Sequence, residues 1–517
     1  MQSHLQRRGK FSIQAIVVGT AALIGGATTV PMMMKSDKSA APIASSSREM
    51  AMLQGDEQRG PLATAEPLEE STNSPLTSVA ISLPSSPAPS QKKISPPNLK
   101  TESSIPERKI EHVRVFYATD RQLFQANNPH LWITAIAPGF LCVLLTLVLI
   151  AGCFASKRRW AWGIGSFIGI ALCFVMVGQS VLKIGKLVRL SNEGSVWFST
   201  GRFAAGINYP LHLGTSDVSL PPNHQAGTIE QPSIFSFEFV EREDRHVMVR
   251  SIEPLSTDTF YEKLSERISE SPERSALVNI HGYNVTFDDA LLRTAQLAKD
   301  IGFTGAPILY SWPSNGQILK YRSDESNVEW SVAHLERFLV DLHQRTGVKQ
   351  IHVLAHSMGN RALVGALQLL QLRYPGEQPM LAQVILAAPD LDAEEFRDRY
   401  ASAVDACATQ VTLYSSATDR ALLASMQLHG HRRLGLTSSP QPTVAGVDLI
   451  DVTPVDTSLL GHSYYGSHPL MIRELVALIQ KGVPPKERLW LTTMADLRVP
   501  PLWRFVPELA TEASNKY

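Results

Sequence analysis

An excess of charge of one sign, cysteine pairs and metal-ligand spacings are what this chain lacks. Its 48 Lys and Arg balance 48 Asp and Glu over 517 residues, so there is no basic surplus of the kind that draws nucleic acid. Of its four cysteines, Cys142, Cys153 and Cys173 lie in long apolar runs and only Cys407 lies elsewhere. That leaves no pair for a disulfide framework, and no C-x-x-C spacing that would hold zinc. No metal and no organic cofactor is expected.

Long apolar runs, by contrast, are present. Arg7, Arg8 and Lys10 precede an apolar stretch from Phe11 to Val30, so residues 1–34 read as an export signal or a signal anchor. No clean A-x-A cleavage site follows it. Residues 35–108 are rich in Ser, Pro and charge, as in the run from Ser82 to Ser90, and cannot bury enough surface to offset their ordering entropy. They read as a disordered tether. Residues 109–124 hold an alternating strand pattern from His112 to Ala118. Then come two runs, Leu131 to Cys153 and Trp160 to Leu182, each long enough to cross a hydrocarbon core of roughly 30 Å as a helix. Trp132, Trp160 and Trp162 sit near their ends, and Lys157, Arg158 and Arg159 lie between them. The expectation is a transmembrane hairpin in a multi-pass protein of the cell membrane. The positive-inside rule places both basic clusters in the cytoplasm and the chain beyond the hairpin outside it, although Lys183, Lys186 and Arg189 run against that bias.

Beyond the hairpin, residues 191–481 read as one domain. Val196 to Ser199, Leu211 to Leu220, Ile234 to Phe239 and His246 to Ile252 have the look of strands. From Ala276 onward strand and helix patterns alternate, with helices expected over Phe287–Ile301, Val328–His343, Ala393–Val404, Asp419–Leu428 and Pro469–Gln480. Such alternation implies an α/β fold with a mainly parallel sheet covered on both faces. Residues 482–517, with Pro484, Pro485, Pro500 and Pro501, read as a C-terminal tail.

The chemistry is concentrated around Ala355-His356-Ser357-Met358-Gly359. A serine on a sharp strand-to-helix turn needs small residues two positions away on either side, so that strand and helix can close. Ala355 and Gly359 meet that need, with Ala where glycine is usual. The strand run Ile351 to Leu354 and the helical spacing of Leu363, Leu367 and Leu370 give the turn its context.

A serine hydroxyl is a weak nucleophile without a base, and the base needs a third group to fix its tautomer. On this kind of elbow the acid and then the histidine come after the serine along the chain. Asp419 comes directly after the strand Val411–Tyr414, where an acid is wanted and where a helix N-cap would equally place one; Asp390 and Asp392 compete with it. His462 comes after the last strand and suits the base. His429 and His431 read as surface loop, His356 as structural because neighbouring elbow side chains diverge, His352 as a strand residue, and His334 and His343 as helix residues. Backbone N–H groups of Met358 and Tyr283, the latter in His281-Gly282-Tyr283-Asn284, are the expected oxyanion donors. Trp312 reads either as a pocket wall or as a core residue.

Six stretches together resemble a bacterial α/β-hydrolase-like family of unknown function, described as predicted esterase or lipase-superfamily serine hydrolases. They are Val115–Arg121, Val278–Asn284, Tyr310–Ser314, Ala355–Asn360, Ala387–Asp390 and Leu460–Tyr465, in the family's order. The resemblance implies an α/β-hydrolase fold and a serine hydrolase with Ser357 as nucleophile, Asp419 as orienting acid and His462 as base. Its substrate would be an ester or acyl compound, and the hairpin inserted between Arg121 and Ser191 makes lipid or envelope esters candidates. Acyl transfer with the same three residues and a non-catalytic membrane scaffold are the alternatives.

Overall fold

Ser275–Ile280 and Gln350–His356 are short, nearly continuous apolar runs, and such runs are stable only where both faces of a strand are covered. They become the middle of a sheet in the computed structural model, which describes residues 109–125, 128–155, 159–203, 211–438, 444–455, 462, 464–494 and 501–506. The expected signal segment 1–34 and tether 35–108 lie outside the described residues. So do the basic turn 156–158 and the side chains of Trp160 and Trp162.

The order along the chain begins with β1 (Glu111–Thr119), β2 (Arg121–Gln125), helices α1 (Pro129–Ala155) and α2 (Arg159–Asn192), β3 (Val196–Arg202), β4 (His212–Leu220) and β5 (Met248–Leu255). Next come α3 (Thr257–Ser269), β6 (Ser275–Ile280), α4 (Phe287–Asp300), β7 (Ala306–Ser311), α5 (Tyr321–Trp330), α6 (Val332–Thr346), β8 (Gln350–His356) and α7 (Gly359–Arg373). The chain continues through β9 (Leu381–Ala387), α8 (Ala401–Cys407), β10 (Ala408–Ser415), α9 (Arg420–His429), β11 (Val447–Asp451), α10 (Pro469–Lys481), β12 (Leu491–Thr493) and β13 (Leu502–Phe505).

Among the described residues, one sheet has the order β12, β13, β11, β10, β9, β8, β6, β7, β1, β4, β5. Its interior pairs are parallel, while β4 and β5 at one edge and β12 at the other are antiparallel. Helices cover both faces: Leu335, Phe338 and Leu339 of α6 and Leu363 and Leu367 of α7 fill one core, and Leu470, Leu475 and Leu478 of α10 fill the other. This is an α/β-hydrolase fold.

β2 and β3 pair with each other outside this sheet and form the stem from which α1 and α2 project. Pro129–Gly152 and Gly165–Asn192 are long and apolar enough to cross a membrane, with mean hydropathies of 2.6 and 2.0. Many of their described apolar side chains face outward, as Phe140 (70% exposed) and Phe167 (75%) illustrate. At the domain end the helices are tied down: Leu131, Ala135 and Leu187 are buried together, Lys186 pairs with Asp288 of α4 at 2.8 Å, and Arg189 pairs with Glu241 at 2.6 Å.

Several elements differ from the sequence expectations. Ile234–Phe239 is no strand but a single 3-10 turn at Ile234–Ser236, ended by Phe237 in the left-handed region. The helix expected over Val328–His343 is two, broken at Ser331, whose carbonyl accepts the Tyr310 hydroxyl at 3.2 Å. The one expected over Ala393–Val404 opens with a short turn and a five-residue π-helical segment before α8. Residues after Lys481 are more than a tail. They supply β12 and β13, and Arg488 and Trp490 both donate to the buried Glu474 carboxylate, at 2.5 and 2.6 Å. The sheet edge beside β11 needed a partner, and short strands flanked by prolines do not announce themselves by periodicity.

Candidate active site

β8 ends at His356 and α7 begins at Gly359, which leaves Ser357 on the turn between them. It adopts φ 52°, a left-handed conformation that side chains bearing Cβ rarely take. The turn is held from both sides. The Ser357 N–H donates to the Ala387 carbonyl at 2.9 Å, and the Ser357 carbonyl accepts from Asn360 Nδ2 at 2.9 Å and the Asp390 N–H at 3.2 Å. Gly359 is obligatory here, since a Cβ would collide with the His281 carbonyl oxygen.

The three side chains singled out from sequence meet. His462 Nε2 lies 2.7 Å from Ser357 Oγ, and His462 Nδ1 lies 2.7 Å from Asp419 Oδ2. With Nδ1–H donated to the carboxylate, Nε2 is left to accept the serine proton. Asp419 is fully buried, and its other oxygen, Oδ1, accepts the Leu422 N–H at 2.9 Å as the N-cap of α9. One Asp419 oxygen therefore contacts His462 while the other caps α9.

Gly282 brings the loop after β6 against the serine: a Cβ there would lie 2.7 Å from His356 Nδ1 and 3.0 Å from Ser357 Cβ. Among the described residues, neither the Met358 nor the Tyr283 N–H donates to a protein acceptor. The Gly282 carbonyl faces His281 Nδ1 at 2.9 Å. A trans peptide points its N–H opposite to its carbonyl, so this bond turns the Tyr283 N–H away from His281. Tyr283 itself is clamped through its hydroxyl, which donates to the carbonyls of Ile318 and, at 3.2 Å, Gln317.

Behind that loop lies a group that sequence reasoning missed. Arg121, at the start of β2, is fully buried and donates to Ser311 Oγ at 2.8 Å, the Ser314 carbonyl at 2.8 Å, the Val285 carbonyl at 3.0 Å and His281 Nε2 at 3.2 Å. Burial lowers its guanidinium to about 10 against the pull of Asp120 and Asp324, which leaves it charged at neutral pH. Burial and this neighbouring cation push His281 down to about 3, so the imidazole is neutral and can accept at Nε2. Trp312 is fully buried, stacked 5.1 Å from His281, and donates its indole N–H to the His281 carbonyl at 2.7 Å. It braces the loop from within the core.

His356 also does more than diverge from the serine. Its Nε2–H donates to the His462 backbone carbonyl at 2.6 Å, and its ring packs against His462 and Tyr465 at 4.7 and 4.5 Å. Burial, and then His462, keep it well below the usual histidine range and so neutral.

The competing acids are engaged elsewhere. Burial works to raise the Asp390 carboxyl, but Arg361 and Arg433 outweigh it and hold it at about 2. Its Oδ1 accepts from Arg433 Nε at 2.7 Å and Ser425 Oγ at 2.6 Å, and Oδ2 from the Tyr321 hydroxyl. Asp392 caps the turn at Glu394 and Glu395. His429 is not a surface-loop residue: it closes α9, with Nε2 2.6 Å from Glu325 of α5. His352 is buried in β8 and His334 of α6 lies 2.9 Å from Asp120. Among the described residues no group of His, Cys, Asp and Glu is placed to hold a metal ion.

Residues 256–481 match the family described as alpha/beta hydrolase of unknown function (DUF900). Over those residues, less than half of its length, the chain is similar to that family of unknown function. A relative of this chain among curated proteins is an uncharacterized protein of Nostoc sp. (strain PCC 7120), 26% identical over 140 residues, which are 22% of this chain and 36% of that protein. The match thus spans about a third of the relative's length. The crystal structure of a "predicted CIB-like hydrolase" from Thermoplasma acidophilum shares 16% identity over 44% of this chain and 90% of its own, with a TM-score of 0.25, too low to carry an argument. The elbow, the Gly282 loop and the His462 loop all fall inside the matched part of the α/β-hydrolase domain.

Proposed function

We propose that this protein is a membrane-anchored serine hydrolase that cleaves carboxylic esters through an acyl-enzyme on Ser357. The observation that carries this reading is the unbroken chain from Ser357 Oγ through His462 to Asp419, with both hydrogen bonds at 2.7 Å and the serine on a left-handed turn. In the reaction so assigned, His462 Nε2 takes the hydroxyl proton as Oγ attacks the ester carbonyl carbon. Asp419 holds the imidazole tautomer and stabilises the imidazolium. The carbonyl oxygen, now negative, sits between the Met358 and Tyr283 N–H groups. Collapse expels the alcohol, which leaves with the proton from His462. Water then attacks the acyl-enzyme by the same proton route and releases the acid.

The membrane part of the proposal rests on α1 and α2. Soluble domains rarely leave so much contiguous apolar surface bare, and a bilayer is the solvent in which exposed Phe140, Leu144, Val148, Phe167 and Ile170 are at low free energy. Arg7, Arg8, Lys10 and the 157–159 cluster favour a cytoplasmic location for the hairpin turn, which would put the hydrolase domain on the extracytoplasmic side. Ile318 and Leu319, both 75% exposed on the loop that Tyr283 clamps, suit an apolar acyl group such as that of a lipid or envelope ester.

A fluorophosphonate probe tests the central step without knowledge of the substrate. Full-length protein should be labelled, and Ser357→Ala and His462→Ala should lose the label while keeping the parent's circular dichroism. A folded parent that takes no label would overturn the proposal.

A further inference from the structure

Between β4 and β5 the domain sends a loop toward α2 whose apolar side chains are only half used. The 3-10 turn at Ile234–Ser236 is closed by Ser236 N–H on the Ser233 carbonyl at 3.0 Å and Phe237 N–H on the Ile234 carbonyl at 3.2 Å. One side of it is seated on α2. Ile234 is 8% exposed and lies over Gly178, where a Cβ would come within 2.8 Å of Ile234 Cγ2 and 3.1 Å of the Phe239 ring. Phe174, one turn earlier on α2, meets Phe237 and Phe239 edge to face at 5.7 and 5.9 Å. The other side is bare: Phe235 is 79%, Phe237 73% and Val240 65% exposed.

The depth of that contact decides what covers the bare side. Lys183 is the first charged residue of α2 after its apolar run, and Gly178 and Phe174 precede it by five and nine residues. At 1.5 Å per residue the loop touches α2 about 7 to 14 Å on the apolar side of Lys183, within a half-bilayer of roughly 15 Å. Side chains bare at that level face acyl chains if α2 spans. The loop is built for such a setting, because the backbone N–H groups of Ser236, Phe237 and Glu238 are all bonded within it. The Glu238 carboxylate is turned back onto the Ser233 N–H, Arg245 and His246 at 3.3 to 3.4 Å, and Arg242, which follows the wedge in sequence, is exposed and paired with Asp244 at 2.8 Å.

We propose that the Ser233–Val240 loop is a second membrane-insertion element, an apolar wedge that enters the acyl-chain boundary of the same bilayer beside α2. The ties of Lys186 and Arg189 hold the domain to the hairpin at one end only. A wedge at a separate point fixes the tilt of the domain and holds it against the lipid surface. The inference rests on the reading of α1 and α2 as membrane-spanning.

The test is site-specific quenching in full-length protein with Cys142, Cys153, Cys173 and Cys407 replaced by alanine. Single cysteines carrying an environment-sensitive fluorophore are placed by Phe235→Cys and Phe237→Cys in the wedge, Phe167→Cys in the span and Leu372→Cys on the exposed end of α7. Each variant is reconstituted in phosphatidylcholine vesicles containing lipid with a doxyl group near the carbonyl end of its acyl chain, and far-UV circular dichroism checks its fold. The proposal expects the labels at 235 and 237 to be blue-shifted and quenched several-fold more strongly than the one at 372. Quenching at 167 with labels at 235 and 237 that behave like the one at 372 would overturn the wedge and leave the span intact. Absence of quenching at 167 would overturn the span and the wedge together.

Discussion

Ser357 holds a backbone conformation that costs about 1–3 kcal/mol for a residue with a Cβ, and its neighbours supply the bonds that keep it there. Asn360 binds the Ser357 carbonyl through both its N–H and its side chain, so the first turn of α7 and the elbow are one structure. Asp419 does two jobs with two oxygens, and substitution separates them. Asp419→Asn keeps a good N-cap and should leave stability nearly unchanged, whereas Asp419→Ala should lose about 1 kcal/mol of it. Both should slow fluorophosphonate labelling by roughly 10²–10⁴-fold, because neither holds the imidazole as the carboxylate does. Urea unfolding together with labelling rates distinguishes the two roles. Equal stability and equal labelling in all three proteins would remove Asp419 from both. Sequence position alone had left N-cap and acid as competing readings, since both ask for a short carboxylate directly after a strand.

At the scale of elements, the Gly282 loop is fixed from behind by parts of the chain far from it in sequence. Arg121 belongs to the strand that leads into the hairpin, yet it bonds His281 and Val285, about 160 residues on. The same hydrogen-bonded cluster therefore joins the stem of the hairpin to the loop that faces Ser357. The C-terminal strands are held in a comparable way. Glu474 of α10 is fully buried and answered by Arg488, Trp490 and the Tyr414 hydroxyl. Removing one partner of a buried ion pair costs about 3–5 kcal/mol, so Arg488→Met should lower the urea midpoint by a corresponding amount. Truncation after Lys481 should yield a chain that fails to accumulate in folded form, since it also uncovers the edge of β11. A truncated protein with the parent's midpoint would restore the tail reading.

Over the whole molecule, stability should depend on pH through histidines buried in neutral form. Burial first of all depresses His281 to about 3 and His352 to about 4, and also lowers His356. An unfolded chain binds these protons near pH 6.5 while the folded one does not, so the unfolded state gains protons as pH falls below that value. Stability is then lost on acidification, with each such histidine adding a slope of up to roughly 1.4 kcal/mol per pH unit between about 6.5 and its folded value. Urea midpoints should fall from pH 7.5 to pH 5, and a flat profile would contradict the burial of these rings. What the sequence by itself determined were properties that repeat along the chain. Apolar periodicity marked the two long helices, the alternation of strands and helices, and the three loops that carry Ser357, Asp419 and His462, because burial on one face or both leaves a local trace. Tertiary structure decided what pairs with what: Arg121 with His281, His356 with the His462 carbonyl, Asp390 with Arg433, and the Ile234 turn with α2. These contacts join residues 43 to 160 positions apart in the hydrogen-bonded cases, and no local pattern encodes them. They arise only when the elements stack, since a buried charge or an orphaned N–H takes whichever partner the packing brings within reach.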